Sequence, residues 1–306
     1  MDLLIVGSVA TDSIETPSGK VEKALGGSAT YASIAASYFT KSGIVGVVGN
    51  DFSNDHIELL KGRKIDLEGL QIDENGKTFH WSGYYEGDMN QAITRETHLN
   101  SFESFKPVIP EIYRDAKYVL LGNIHPALQL EVLEQVKNPD MILCDSMNLW
   151  IANEPELLKQ VFSKVNIICI NDGEAQQFCG TSSIPNAAKQ LLDLGPEYVI
   201  IKKGSHGALL FGKDRSFAIP GLPLASVVDP TGAGDSFAGG IIGYLAKHGN
   251  HNDDNFRGAL VAGTVMASYC VEDFSCNRTN GLSKDEILKR AQLLKEFARI
   301  PDFNYS

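Results

Sequence analysis

Between Val228 and Gly240 the chain reads V-D-P-T-G-A-G-D-S-F-A-G-G, which sets glycines beside a carboxylate. Glycines at the mouth of a helix leave backbone N–H groups bare, and helix N-termini attract anions. Asp235 would repel a phosphate bound there. Either the turn holds no phosphate, or Asp235 has a chemical task next to one. The apolar positions Phe237, Ile241, Tyr244 and Leu245 recur at helical spacing, and Lys247, His248 and Gly249 supply a basic last turn and a stop, so the helix begins at the glycines. Gly239, Gly240 and Gly243 suit close packing against a second small face formed by Ala259, Ala262, Gly263 and Ala267.

Other chemically loaded residues stand at the ends of short apolar runs. Asp145 ends M-I-L-C-D, N-D-G-E (171 to 174) ends one run and opens a helix, and K-K-G-S (202 to 205) ends a third. Asn123 ends Y-V-L-L-G-N, and Asp12 closely follows L-L-I-V-G. In open parallel sheets ligands bind outside the carboxyl ends of the strands, where all of these would collect. Asn171 and Glu174 fit two descriptions, ligands of a cation or a helix N-cap with its N3 carboxylate. Two similar patterns carry no function. G-A-L-L-F-G-K-D (207 to 214) ends in Asp where a phosphate-binding loop needs Ser or Thr, and its A-L-L-F reads as strand. G-A-G-D-S-F has Phe237 where a dinucleotide fingerprint needs its third glycine, and it comes late in the chain.

The elements that must position these residues follow from the alternation. Six β-branched runs, 3 to 7, 44 to 49, 118 to 123, 141 to 145, 167 to 171 and 198 to 202, are each followed by helical periodicity. Apolar strands joined by crossover helices predict an α/β fold, a doubly wound, mostly parallel sheet flanked by helices, over a single domain 1-306. From Ala208, A-L-L-F, S-F-A-I and A-S-V-V-D are spaced for antiparallel strands before helices return at Ala233, Asp254 and Ser283. Two insertions break the pattern: residues 77-99, two strands around a G-D-M-N turn, and a smaller hairpin at 11-23. Such insertions often make a lid; the alternative is a hairpin that covers a sheet edge or a dimer interface. Trp81 and Tyr85 share one face of the first if alternate residues face inward.

A composition of 43% apolar and 21% charged residues implies a sizeable core. The net charge of -11 argues against a nucleic-acid or anionic-membrane partner, which need basic footprints, though not against one small anion pocket. The five cysteines, Cys144, Cys169, Cys179, Cys270 and Cys276, are scattered without a C-x-x-C pair, which suits reduced, mostly buried thiols. The N-terminus lacks a basic region and reads as a first strand, not a signal peptide, and no apolar run approaches the roughly 18 residues of a membrane span. A cytoplasmic location is the expectation.

D-P-T-G-A-G-D-S-F-A-G-G (229 to 240) resembles the C-terminal signature of the ribokinase-like, or PfkB, sugar kinases, and G-G-S-A-T-Y-A-S-I-A-A-S (26 to 37) resembles their N-terminal glycine pair. N-D-G-E is similar to the family's N-x-x-E element and K-K-G-S-H-G to its nucleotide-contacting strand end, in the right order along nearly the whole chain. The resemblance implies an ATP-dependent transfer of the γ-phosphoryl group to a hydroxyl of a small sugar. It implies that the amides of Gly232, Ala233 and Gly234 form an anion hole and that Asp235 is the base facing the acceptor hydroxyl. By the same resemblance Asn171 and Glu174 hold magnesium through water, and Lys202, Gly204, Thr231 and Gly263 contact the nucleotide. Asp12, Gly26, Gly27, Tyr31, Asn123 and Asp229 fall to the acceptor, and many members bind a potassium ion near the Asp229 turn and the loop after Cys270.

Two departures bear on the acceptor. Tyr31 stands where the glycine-pair motif often has Asn, a bulkier group able to stack on a ring or shorten the pocket, and Pro230 replaces a more usual hydroxyl residue. A nucleoside kinase on the same scaffold is the alternative if Tyr31 or Trp81 stacks a base. A sugar-binding regulator without catalysis is a third reading, against which the intact Asp235 and N-x-x-E speak.

Overall fold

The computed structural model describes residues 1–87, 89 and 91–301; Asp88 and Asn90 of the G-D-M-N turn lie outside the described residues. In chain order the strands are β1 (Leu3–Val6), β2 (Ala10–Thr16), β3 (Gly19–Gly26), β4 (Ser42–Gly49), β5 (Asp66–Asp73), β6 (Phe79–Tyr85), β7 (Ala92–His98), β8 (Tyr118–Leu121), β9 (Met141–Cys144), β10 (Ile167–Asn171), β11 (Tyr198–Lys202), β12 (Ala208–Gly212) and β13 (Arg215–Ile219). The helices are α1 (Ser28–Ala36), α2 (Asn54–Gly62), α3 (Pro126–Gln135), α4 (Asn148–Asn153), α5 (Pro155–Phe162), α6 (Asp172–Cys179), α7 (Ile184–Leu192), α8 (Ala233–His248), α9 (Asp253–Cys270), α10 (Asn277–Asn280) and α11 (Lys284–Phe297).

A nine-stranded sheet runs β13-β12-β11-β10-β9-β8-β1-β4-β5. The seven strands from β11 to β5 pair in parallel, and β12 and β13 add an antiparallel edge. Leu3 to Val6 are completely buried because helices cover both faces, which is why parallel strands read as unbroken apolar runs. Leu3 and Ile5 face a core shared with α1, α8 and α9; Leu4 and Val6 face a second core against α5, α6 and α7. Gly240 lies so close to α9 that an added Cβ would stand 2.9 Å from the Gly263 Cα. Gly239 and Gly243 instead face α1, at Ala32 and Ala36, so the small face of α8 serves two helices where the sequence suggested one.

Two expectations change. Ala225 to Asp229 form no strand; the Val228 and Asp229 N–H groups donate to the Val271 carbonyl, at 2.8 and 3.3 Å, and satisfy the backbone without a ladder. The half-exposed β5 pairs in parallel with β4 and was not foreseen, because the polar D-L-E-G-L-Q-I-D lacks a buried strand's continuous run. A separate four-stranded sheet, β3-β2-β6-β7, gathers the two insertions, with β2 and β6 parallel and the outer pairs antiparallel. Every residue of β7 is exposed. All five cysteines are free, and four of them are buried. Among the described residues no helix is long and apolar enough to cross a membrane.

Candidate active site

Helix α8 starts where the glycines lead the chain into it. Gly232 adopts a left-handed conformation, φ 76°, and no side chain caps the helix. The space its missing side chain leaves is filled by the Tyr31 ring, which would lie 2.3 Å from an added Cβ. Tyr31 is 2% exposed and its hydroxyl meets no partner among the described residues. The expectation that Tyr31 reaches the acceptor is therefore corrected: α1 packs directly behind the turn, and the phenol supports the turn from below. Of the three amides assigned to the anion hole, Ala233 N–H already donates to the Pro230 carbonyl at 3.2 Å, whereas those of Gly232 and Gly234 meet no loop or turn acceptor among the described residues. Two donors thus stand free at the positive end of a sixteen-residue helix.

Asp235 follows in the same turn. Burial pushes its carboxyl up to about 7; Asp145 adds to the rise, while Lys202 and the residue's own N–H oppose it and Glu174 adds again. A carboxylate so poised accepts a proton near neutral pH, which is what a general base needs.

The ends of β9, β10 and β11 lie side by side. Asn171 and Lys202 are opposite each other in the parallel register, and Lys202 reaches past β10 to Asp145, with Nζ 2.9 and 2.8 Å from the two carboxylate oxygens. Burial, the largest single influence, works against the Lys202 charge, but the charge and hydrogen bonds of Asp145 together with Glu174 and Cys169 outweigh it and hold the ammonium above its ordinary pKa. Asn171 and Glu174 form the full capping box of α6: Asn171 Oδ1 accepts from the Glu174 N–H at 2.8 Å, and Glu174 Oε2 accepts from the Asn171 N–H at 2.8 Å. Burial raises the Glu174 pKa, with Lys202 opposing and Asp145 adding. Its second oxygen is left without a protein donor among the described hydrogen bonds. No group of three His, Cys, Asp or Glu side chains converges among the described residues. That donor set suits magnesium, which keeps most of its waters and borrows phosphate oxygens from its substrate.

On the acceptor side, Asp12 is 5% exposed and its carboxylate occupies the place of a Gly26 side chain, with Oδ2 1.9 Å from an added Cβ. Burial, then the charges of Asp229 and Asp235, push Asp12 up to about 8 against a hydrogen bond from the Gly27 backbone. Gly27, at φ 96°, lies against the Ser8 carbonyl, which excludes any side chain there. Asp229 has no exposed surface; its oxygens accept from the Thr231 N–H (2.9 Å) and the Ser275 N–H (3.4 Å), tying the turn before α8 to the loop after α9. Its carboxylate braces the turn from within instead of lining an open pocket. Thr231 donates its hydroxyl to Tyr85 Oη of β6 at 3.1 Å, so the second sheet touches the turn. Asn123 accepts from Trp150 Nε1 (2.9 Å) and donates to Met147 Sδ (3.0 Å), which holds the partly buried indole at the end of β8. Trp81 lies over Gly83, one step from Tyr85 on the same side of β6, and donates to Thr94 Oγ1 at 3.2 Å.

Gly204, φ 53°, opens an exposed turn after β11. Gly263 is buried in the α8–α9 contact, where its bare Cα faces the Phe237 carbonyl. Asp145 was marked by its place at a strand end and Tyr85 by sharing a face with Trp81, though neither had been given a site role; nothing in N-L-W marked Trp150, whose role depends on the neighbouring loop.

The sequence profile of the pfkB family carbohydrate kinases matches residues 2–281. A cytidine kinase of Thermococcus kodakarensis is 33% identical over 250 residues, 79% of this chain and 87% of that one. Among solved structures, a nucleoside kinase of Methanocaldococcus jannaschii superposes with a TM-score of 0.77 at 21% identity, covering 95% of this chain and 98% of its own. The ribokinase of Arabidopsis thaliana complexed with ribose and ATP gives 0.76 at 20% identity, covering 95% and 98%.

Proposed function

The chain belongs to the pfkB family of carbohydrate kinases, and on that premise we propose that it transfers the γ-phosphoryl group of ATP to a sugar hydroxyl, with Asp235 as the base. The carrying observation is Asp235 in the first turn of α8 beside the free amides of Gly232 and Gly234. The amides are preorganised for charge that grows on the transferred group, and such donors are a leading catalytic term. Asp235 orients the acceptor hydroxyl and takes its proton, and an acceptor lying between carboxylate and phosphate removes the conflict posed by their like charge. Asp12, with Gly26 yielding space to it, suits a pair of sugar hydroxyls. Magnesium, when bound with the nucleotide, supplies charge neutralisation of the phosphates; Glu174, with Asn171, would hold it through water. The free thiols favour a cytoplasmic location.

A second reading, that the sugar is the ribose of a nucleoside, is favoured by the relative named a cytidine kinase. ATP consumption measured over a panel of free sugars and nucleosides separates the two. Consumption with no member of the panel, by protein that binds sugar, would leave a non-catalytic regulator as the reading.

A further inference from the structure

The Asp145–Lys202 pair is an expensive feature for a strand end. Lys202 and Asp145 side chains are 16% and 7% exposed, and taking both charges out of water costs enough that apolar side chains would join the same two strands at least as well. Its position is the informative part. Lys202 Nζ lies 3.2 Å from where a Cβ on Gly234 would stand, so a side chain at 234 would crowd the ammonium. The absence of one lets a full positive charge rest against the first turn of α8, beside the Gly234 amide and one residue from Asp235.

The donor inventory is equally specific. An ammonium has three N–H bonds and no acceptor capacity. Two of those of Lys202 go to the two oxygens of Asp145, and the third meets no acceptor among the described residues. The charges facing this ammonium come from three elements: Asp145 after β9, Glu174 on α6 and Asp235 on α8. Asp145 is the one in contact, and it fixes the long side chain in one arrangement.

Resting on the phosphotransferase reading above, we propose that Lys202 is a further catalytic residue, which donates its remaining N–H to the phosphoryl group in flight, and that Asp145 acts through it as a positioning residue. In the step, the acceptor oxygen bonds to the γ-phosphorus while the bridging oxygen leaves with its bonding pair as ADP. Asp235 takes the acceptor proton, and Lys202 keeps all of its own. The ammonium adds to the two free amides a full charge that no solvent has to reorganise to supply.

The test compares two ligands by calorimetry: magnesium ADP, and magnesium ADP with aluminium fluoride, which imitates the phosphoryl group in transfer. Lys202→Met should weaken the aluminium fluoride complex about 10²-fold, the range for losing one transition-state donor, and ADP binding by less than about threefold. Asp145→Asn should give a smaller loss in the same direction. Since Lys202→Met strands a buried carboxylate and can fail to fold, the double variant Lys202→Met/Asp145→Asn is the second arm. It should recover the thermal midpoint and leave the aluminium fluoride complex weak. Recovery of tight aluminium fluoride binding in the double variant, or equal weakening of both ligands in Lys202→Met, would overturn the proposal and make the pair a structural cross-link. Turnover on the sugar and nucleoside panel is read separately: wild-type protein that transfers phosphate to none of them fails the phosphotransferase reading, whereas an active wild type with an unimpaired Lys202→Met fails only this inference.

Discussion

The ring of Tyr31 occupies the volume that a side chain on Gly232 would need, 2.3 Å from an added Cβ. The two residues are far apart in the sequence, and their contact packs the turn before α8 directly against α1. Gly232→Ala meets the ring and must also hold a side chain at φ 76°, the latter alone costing about 1–3 kcal/mol. We expect a lower thermal midpoint and a loss of turnover, with Gly232→Ala/Tyr31→Leu regaining part of the midpoint because the clash is relieved. A double variant no more stable than Gly232→Ala would mean that the ring does not support the turn.

Asp235→Asn keeps size and hydrogen bonding but removes the proton acceptor. Turnover should fall roughly 10²- to 10⁴-fold, the range for a general base, with nucleotide affinity retained. An Asn variant of near-normal turnover would remove Asp235 from the mechanism.

Carboxyls raised by burial, Asp12 and Asp235 among them, make stability depend on pH. Asp12 titrates at about 8 and Asp235 at about 7 in the folded protein, against about 3.9 for Asp in an unfolded chain. Between those limits the folded state binds more protons than the unfolded one. The stability these groups contribute is therefore complete below the unfolded value and is lost as pH rises through 7 to 8. The thermal midpoint of the protein without ligands should fall between about pH 6 and about pH 9, and fall less in Asp12→Asn, which has no proton to lose. The same slope in both proteins would place the effect elsewhere.

The parallel sheet was legible because each buried strand is an unbroken β-branched run, and the signature at 229 to 240 identified the turn by residue type and order. What stayed hidden depended on partners distant in sequence. Tyr31 looked like a group for the acceptor because its position in the motif was known and its direction was not; only the packing of α1 behind α8 turns it under Gly232. The partner of Lys202 stands 57 residues away, two strands over, and no local pattern links them. β5 was missed for the opposite reason, since an edge strand with a wet face carries too few apolar residues to stand out.

Glu174 is a partner in the capping box of α6, and the proposed metal role has to be separated from that contact. Glu174→Gln suits this, because a glutamine oxygen can still accept from the Asn171 N–H while the charge is gone. We expect a higher magnesium requirement, a smaller change in acceptor KM and little change in thermal midpoint. By contrast Asn171→Ala should cost about 1 kcal/mol of stability through the lost cap. A Glu174→Gln variant with an unchanged magnesium requirement would leave the capping box as the whole role of N-D-G-E.

The second sheet should move with the acceptor. It meets the turn before α8 at the Tyr85–Thr231 hydroxyl pair; Asp12, in register with Trp81, stands on its inner strand. A kinase must keep water from competing with its acceptor, and closure over the site achieves this while completing the catalytic geometry. The sheet is also built to be loose, since β7 pairs along one edge only and every residue of it is exposed. Hydrogen exchange across residues 79 to 98 should slow when acceptor is added, by an amount independent of protein concentration. Tyr85→Phe, which keeps the ring and loses the hydroxyl contact, should speed exchange in the unliganded protein and leave the acceptor-bound rate closer to wild type. Exchange that ignores the acceptor and changes on dilution would instead make this edge a contact between subunits, with the exposed β7 as the strand that a second copy covers.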